Sequence, residues 1–487
     1  MINKNFVNLF AFALLILSTF GKKCYVTKPK PVAPVDAKNA VNAQMIVQGY
    51  EWGPAVPKII VEFEDDVTGF DKDTFLIKTA NTTREIIDVY NSDKEGKETE
   101  SASKYVSFDL KVGTLFIEFM NSSVGDASPF TYDFVAFVNK WAESFELELD
   151  LAEGKSFKIG DFEYGNKNEW TTYKKDLMKN FIVPETAVWK KDSFTNKSDK
   201  ITLQRASFTP KGAATDGVKN PLIIWLHGAG EGGVDTDIPL LGNEVVALSR
   251  EGEIQKYFTT EKQKGAYVLI VQTPTMWMDK GDGTYNDDIP AGEKQKSYYD
   301  AALFAAIKDY VESNDDIDTK RIYLGGCSNG GYMTMNLMFE HGDFFTAFYP
   351  ICEAYMNKNI SDEMIEQVKD YNIWFLQSED DTTVDPLMTT IPSFYRLINA
   401  GAKNVHFTLK DHVKGVDDAS AVYMGHYSWV YAFNDDVKEQ FDNAKVLEDY
   451  DNITIEEGVL TSKDNYVTNA NCSKDGNMWA WLASQTK

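Results

Sequence analysis

The chain has 487 residues, with 74 acidic against 49 basic side chains and a formal net charge of −25. That length exceeds one ordinary domain, and 43% hydrophobic with 13% aromatic residues excludes a wholly disordered chain. The acidic balance repels nucleic-acid phosphates and anionic membrane surfaces and suits a neutral substrate.

Lys4, an apolar run from Phe6 to Leu17, and the small residues Thr19 and Gly21 read as an export signal over residues 1–21. The run is too short for a good transmembrane helix. No later stretch is apolar enough to cross a bilayer, so a secreted or cell-surface location is expected. Residues 22–40 form a linker whose Lys28-Pro29-Lys30-Pro31 stretch is extended. The four cysteines, Cys24, Cys327, Cys352 and Cys472, match no zinc or redox spacing.

From 41 to 150 short segments alternate in hydrophobicity between turn signals: 58–63, 74–79, 84–90, 105–110 and 114–119. Half-buried antiparallel strands leave this period-two pattern, which predicts a β-sandwich. The stretch holds no histidine and no cysteine, so chemistry is expected elsewhere. Residues 151–180 read as a connecting segment.

From 181 to 487 apolar strands at 221–226, 266–272, 321–325, 347–351, 373–376 and 405–409 alternate with helical patterns at 297–311 and 332–340. Continuous apolar strands separated by helices predict an α/β domain, a mostly parallel sheet covered on both faces. Residues 434–477 are acidic and polar and read as an insertion before a last helix at 478–483.

Within that domain Gly326-Cys327-Ser328-Asn329-Gly330 is a G-x-S-x-G elbow between a strand and a helix. Serine at the apex of such a turn is exposed for attack, and the following helix N-terminus points its N–H groups toward developing negative charge. An ordinary glycine-rich turn is the competing reading; the strand before and the helix after argue against it. About a hundred residues earlier, Trp225-Leu226-His227-Gly228-Ala229-Gly230-Glu231 ends another strand. An oxyanion hole needs one amide from such a loop and one from the residue after the nucleophile, so Gly228 or Ala229 and Asn329 are the candidates. His227 is expected to pin its loop by hydrogen bonds.

An acid should follow the serine at a strand end. Asp381, with Asp380 as runner-up, lies in the loop after 373–377. A histidine base should follow the acid: His406 sits in a strand pattern, His412 just beyond it, and His426 in a loop, which favours His426. Trp277, after another strand, either walls the substrate pocket or simply packs.

These motifs resemble bacterial α/β-hydrolase esterases of the prolyl-oligopeptidase-like group that carry an N-terminal immunoglobulin-like domain. The likeness runs through His227-Gly228-Ala229-Gly230, the elbow to Met333, Asp381-Thr382-Thr383-Val384 and Gly425-His426-Tyr427-Ser428-Trp429. In the N-terminal part it runs through Glu51-Trp52-Gly53-Pro54-Ala55-Val56 and Asp88-Val89-Tyr90-Asn91-Ser92-Asp93. The resemblance implies an α/β-hydrolase fold behind an immunoglobulin-like sandwich, a triad of Ser328, Asp381 and His426, and hydrolysis of carboxylic esters. One departure stands out: where related loops read His-Gly before the acid, this chain has Gln377 and Ser378.

The expected activity is therefore a serine carboxylesterase without metal or organic cofactor, acting on short acyl or polysaccharide-linked esters. A peptidase is the first alternative, although the segment before the hydrolase is far too short for the large propeller such peptidases use. A non-catalytic polysaccharide-binding or surface protein is the second, and the presence of serine, acid and histidine weighs against it.

Overall fold

The structure is a computed structural model that describes residues 38–487 apart from 119, 134, 166–167, 286–288, 449 and 463–465. The expected export segment, Cys24 and all but the last residues of the linker lie outside the described residues.

The N-terminal unit is a sandwich of a seven-stranded and a four-stranded sheet. Its long strands Ala40–Tyr50 and Gly53–Thr68 pair antiparallel, and the first alternates buried and part-exposed residues along its length. That alternation puts Met45 and Val47 in the core, because successive side chains of a strand point to opposite faces. The sandwich does not end at 150, as the sequence suggested. Glu146–Leu151 pairs with Tyr173–Asp176, Phe157–Ile159 pairs with Gly53–Thr68, and Phe181–Ile182 adds in parallel to the first strand. The supposed connecting segment 151–180 therefore belongs to the sheets. Its strands are only three or four residues long, too short for an alternating pattern to show in sequence.

Two hairpins project from this unit, Thr114–Ile117 with Ser122–Gly125 and Phe130–Asp133 with Val138–Trp141. Both reach the second domain.

That domain is an eight-stranded sheet. Its strands in spatial order are Lys190–Thr195, Thr202–Phe208, Tyr267–Gln272, Asn220–Leu226, Ile317–Cys327, Ala347–Ile351, Ile373–Ser378 and Val405–Lys410. The last six run parallel; the first two are antiparallel. The fully buried strand Asn220–Leu226 follows from its unbroken apolar run. The edge strand Lys190–Thr195 escaped the sequence reading because it is mostly exposed and carries no apolar run. The helix Thr390–Asn399 escaped it because Pro392 falls in its first turn, where proline is tolerated. The 434–477 stretch forms the short helix Asn443–Glu448, which packs on Thr390–Asn399, and small strand pairs. The last helix, Met478–Ser484, is capped by the Asn477 side chain, which accepts the Ala480 N–H. No helix among the described residues is long and apolar enough to cross a membrane.

The two domains share one hydrophobic cluster, in which Val47 and Val56 of the sandwich join Leu241, Val246 and Trp225 of the hydrolase. Glu51 of the sandwich is buried against the segment that leads to His426. Its side chain accepts the backbone N–H groups of Val416, Asp417 and Asp418 at 2.8, 2.9 and 3.3 Å and the Tyr423 hydroxyl at 2.9 Å. Glu51→Gln turns one acceptor into a donor facing those amides. It is expected to cost about 2 kcal/mol and to lower the melting temperature by about 2 °C, read by differential scanning calorimetry.

Candidate active site

The strand Ile317–Cys327 turns into the helix Asn329–His341 at Ser328, whose φ of 55° and ψ of −117° are strained for a residue with a side chain. The turn holds because its neighbours have no room to relax it. A Cβ on Gly326 would lie 2.5 Å from the Leu226 carbonyl oxygen, and one on Gly330 only 2.0 Å from the same oxygen. Glycine at both positions lets the new helix start directly against the end of Asn220–Leu226. The Ser328 N–H donates to the Ile351 carbonyl at 2.9 Å, so the elbow is tied to the strands on both sides.

The loop after Leu226 runs alongside. His227 is buried; its Nε2 accepts the Thr273 N–H at 3.1 Å, so the neutral ring donates Nδ1–H to the Gly228 carbonyl at 2.6 Å. Burial holds this imidazole down to about 4, against the Gly228 carbonyl bond. It pins the loop, as expected. A Cβ on Gly228 would lie 3.7 Å from the Ser328 Cβ, which sets the loop backbone beside the serine. The same Cβ would lie 3.0 Å from Glu231 Oε2 and 3.6 Å from Cys327 Sγ, so both side chains crowd the loop. Asn329 follows the serine as the first residue of its helix, where N–H groups lack intrahelical acceptors. Its side-chain Oδ1 accepts the Trp277 and Met278 N–H groups at 2.5 and 3.3 Å.

Trp277 does not wall an open pocket. Its relative exposure is 0%, and its indole N–H donates to the His227 carbonyl at 3.1 Å. It buttresses the glycine-rich loop from behind.

Asp381 and His426 come together: Nδ1–H of the imidazole donates to Oδ2 at 2.8 Å, and both groups are buried. The remaining carboxylate lone pairs are also taken. Oδ1 accepts the Thr383 and Val384 N–H groups at 2.9 Å each, and Gln377 donates to Oδ2 at 3.3 Å. Gln377, where related loops carry histidine, is thus a donor to the acid. The runner-up residues pair with each other instead: His412 Nδ1 bonds Asp380 Oδ2, and Ser378 Oγ donates to Asp380 Oδ1 at 2.5 Å. Both are more exposed than the first pair. His406 stays in its strand, bonded to Gln440 and Asn404 and stacked on Trp374.

Cys352 follows Ile351, the acceptor of the Ser328 N–H. Its sulfur lies with one Asp381 oxygen and one His426 nitrogen in a group of atoms all within 4.8 Å of one another. A softer cation fits such a donor set in principle, but the imidazole–carboxylate hydrogen bond already accounts for the spacing. Burial keeps the Cys352 thiol well above its ordinary range, with the Asp381 charge adding to it.

Sequence reasoning missed residues that other parts of the chain bring in. Asn139 of the second hairpin donates to Glu231 at 3.1 Å, and Trp141 Nε1 donates to Asp235 at 3.0 Å. Ser123 and Ser122 of the first hairpin accept the Val422 and Met424 N–H groups at 3.0 and 3.2 Å, next to His426. The one signal within sequence reach was Glu231 itself, a carboxylate in the middle of a glycine-rich loop.

Residues 42–174 match the model of the esterase Ig-like N-terminal domain, and residues 280–384 match that of the prolyl oligopeptidase family. The second match spans Ser328 and Asp381. A thermostable esterase superposes with a TM-score of 0.59 at 21% identity, covering 80% of this chain and 95% of its own. An S-formylglutathione hydrolase from Agrobacterium tumefaciens reaches 0.35 at 11% identity, covering 51% and 92%. A ferulic acid esterase from Anaeromyces mucronatus reaches 0.34 at 16%, covering 50% and 90%. No curated protein sequence matches. The domain matches and the fold agree with the resemblance drawn from the sequence: an immunoglobulin-like domain ahead of an α/β-hydrolase domain of the prolyl-oligopeptidase-like group.

The crowding at the elbow sets a direct test. Gly330→Ala forces a methyl group into the Leu226 carbonyl, so it is expected to destabilise the protein by about 4 kcal/mol or more, measured by thermal melting followed by circular dichroism.

Proposed function

We propose that the chain is a secreted serine carboxylesterase that hydrolyses short acyl or polysaccharide-linked esters through an acyl-enzyme. The observation that carries this reading is a serine at positive φ on a helix N-terminus, tied through Ile351 to Cys352, which sits beside the buried His426–Asp381 pair.

In this reading His426 removes the Ser328 hydroxyl proton as the oxygen attacks the ester carbonyl. Asp381, saturated by two backbone amides and Gln377, fixes the ring so that Nε2 is the free nitrogen. The carbonyl oxygen gains negative charge and is met by the Asn329 N–H and an amide of the 228–229 loop. His426 then passes its proton to the departing alcohol, and a water molecule, deprotonated by the same ring, attacks the acyl-serine. The carboxylic acid leaves and the serine recovers its proton. Nothing in this cycle calls for a metal or an organic cofactor.

A neutral ester suits a chain with net charge −25, which disfavours an anionic substrate at long range. The peptidase reading draws on the name of the family matched over 280–384. Against it, the domain that precedes the hydrolase is a small sandwich and not a large gating propeller.

The test is turnover of a short p-nitrophenyl ester beside a dipeptide amide. Ser328→Ala and His426→Ala are each expected to lower kcat by about 10⁴-fold or more with the fold intact. Asp381→Asn is expected to be nearly as damaging, whereas Asp380→Asn stays within about threefold of the parent. Retained ester turnover in Ser328→Ala, or preferential cleavage of the amide by the parent, overturns the assignment.

A further inference from the structure

A buried carboxyl group beside the serine takes no part in that cycle. Glu231 sits three residues after Gly228, and a Cβ placed on Gly228 would lie 3.0 Å from its Oε2. Its other oxygen, Oε1, accepts the Asn139 side-chain N–H at 3.1 Å, from a hairpin ninety-two residues away in the other domain. Its backbone is fixed as well: the Glu231 carbonyl accepts the Gln272 side chain at 2.9 Å. The carboxyl group is thus clamped where the glycine-rich loop, the elbow, the His426 turn and the N-terminal domain meet.

We infer that Glu231 is a positioning residue for this hydrolysis: its carboxylate ties the Asn139 hairpin to the oxyanion loop and presents a negative charge to the His426 imidazolium as that ion forms. The inference rests on the esterase reading.

Among the described residues, four ionisable groups lie within electrostatic reach of this carboxyl: His426 and Tyr427 from the 425–427 turn, Tyr132 from the second hairpin, and Cys327 from the elbow strand. Gly242, at the end of the helix Asp237–Gly242, packs on it without adding charge. Of the four, only His426 becomes cationic in the reaction. Burial pushes Glu231 up to about 7, opposed by the Asn139 bond, the Gly228 amide and the His426 ring. The group therefore changes charge near neutral pH. Below that range it is neutral and gives the imidazolium no help; above it the anion lowers the barrier.

The experiment measures kcat and KM of the full chain on a short p-nitrophenyl ester from about pH 5.5 to about pH 8.5. The proteins compared are the parent, Glu231→Gln, Asn139→Ala, the double variant and Ser328→Ala. Glu231→Gln is expected to lower kcat about tenfold at the alkaline end and less than about twofold at the acidic end, with KM changed less than about threefold. Asn139→Ala removes a donor that favours the anion, so the parent's rise in kcat is expected to move to higher pH. The double variant is expected to lose no more than Glu231→Gln alone.

A parent-to-Glu231→Gln ratio that does not vary with pH overturns the inference, because a purely structural role has no reason to follow the ionisation. If Glu231→Gln does not fold, an unmoved pH profile in Asn139→Ala overturns it equally. Turnover surviving in Ser328→Ala is a separate result: it removes the esterase reading, whereas a dead Ser328→Ala with a pH-independent ratio removes only the role of Glu231.

Discussion

The site depends on one steric fact, the contact between the Leu226 carbonyl oxygen and the backbone of 326–330. Because that oxygen sits where a Cβ of Gly326 or Gly330 would be, the helix can begin at the very end of the neighbouring strand. The serine is then forced into a conformation that L-residues avoid. The same closeness sets the loop from 227 to 231 alongside the serine, so nucleophile and amide donors are positioned by one packing event. His227 and Trp277 finish it from behind, one by bonding Gly228 and Thr273, the other by bonding the His227 carbonyl.

Around this rigid centre, the elements that differ most from a bare hydrolase come from the N-terminal sandwich. Glu51 collects three consecutive amides of the segment before His426, and Ser122 and Ser123 collect two more. Asn139 reaches Glu231 within the glycine-rich loop, and Trp141 reaches Asp235 just beyond it. Loops at strand ends are usually the mobile part of such a sheet. Here two of them are backed by another domain, which lowers the entropy lost when substrate is held.

Local features were legible in the sequence; those assembled across the chain were not. The buried parallel strands showed as unbroken apolar runs, and the elbow showed because its glycines are a local steric requirement. The short strands between 151 and 182 and the polar edge strand Lys190–Thr195 left no pattern, since three residues cannot display a period and an exposed strand need not be apolar. The adjacent carboxylates Asp380 and Asp381 look alike in sequence, and they part only in space, one toward His412 and one toward His426. A tryptophan after a strand, such as Trp277, fits either a pocket wall or packing in sequence, and its complete burial makes it packing. Asn139 was invisible for a plain reason: nothing in a strand of four residues announces which distant loop it will touch.

The hydrophobic cluster that runs unbroken from Val47 and Val56 into Trp225 and Val246 bears on how the molecule comes apart. A tethered accessory module melts on its own and leaves its neighbour standing. A sandwich whose inner residues are also the neighbour's inner residues cannot do so, because its loss would strip apolar surface from the hydrolase in the same step. The two domains, distinct in topology, therefore behave as a single cooperative body.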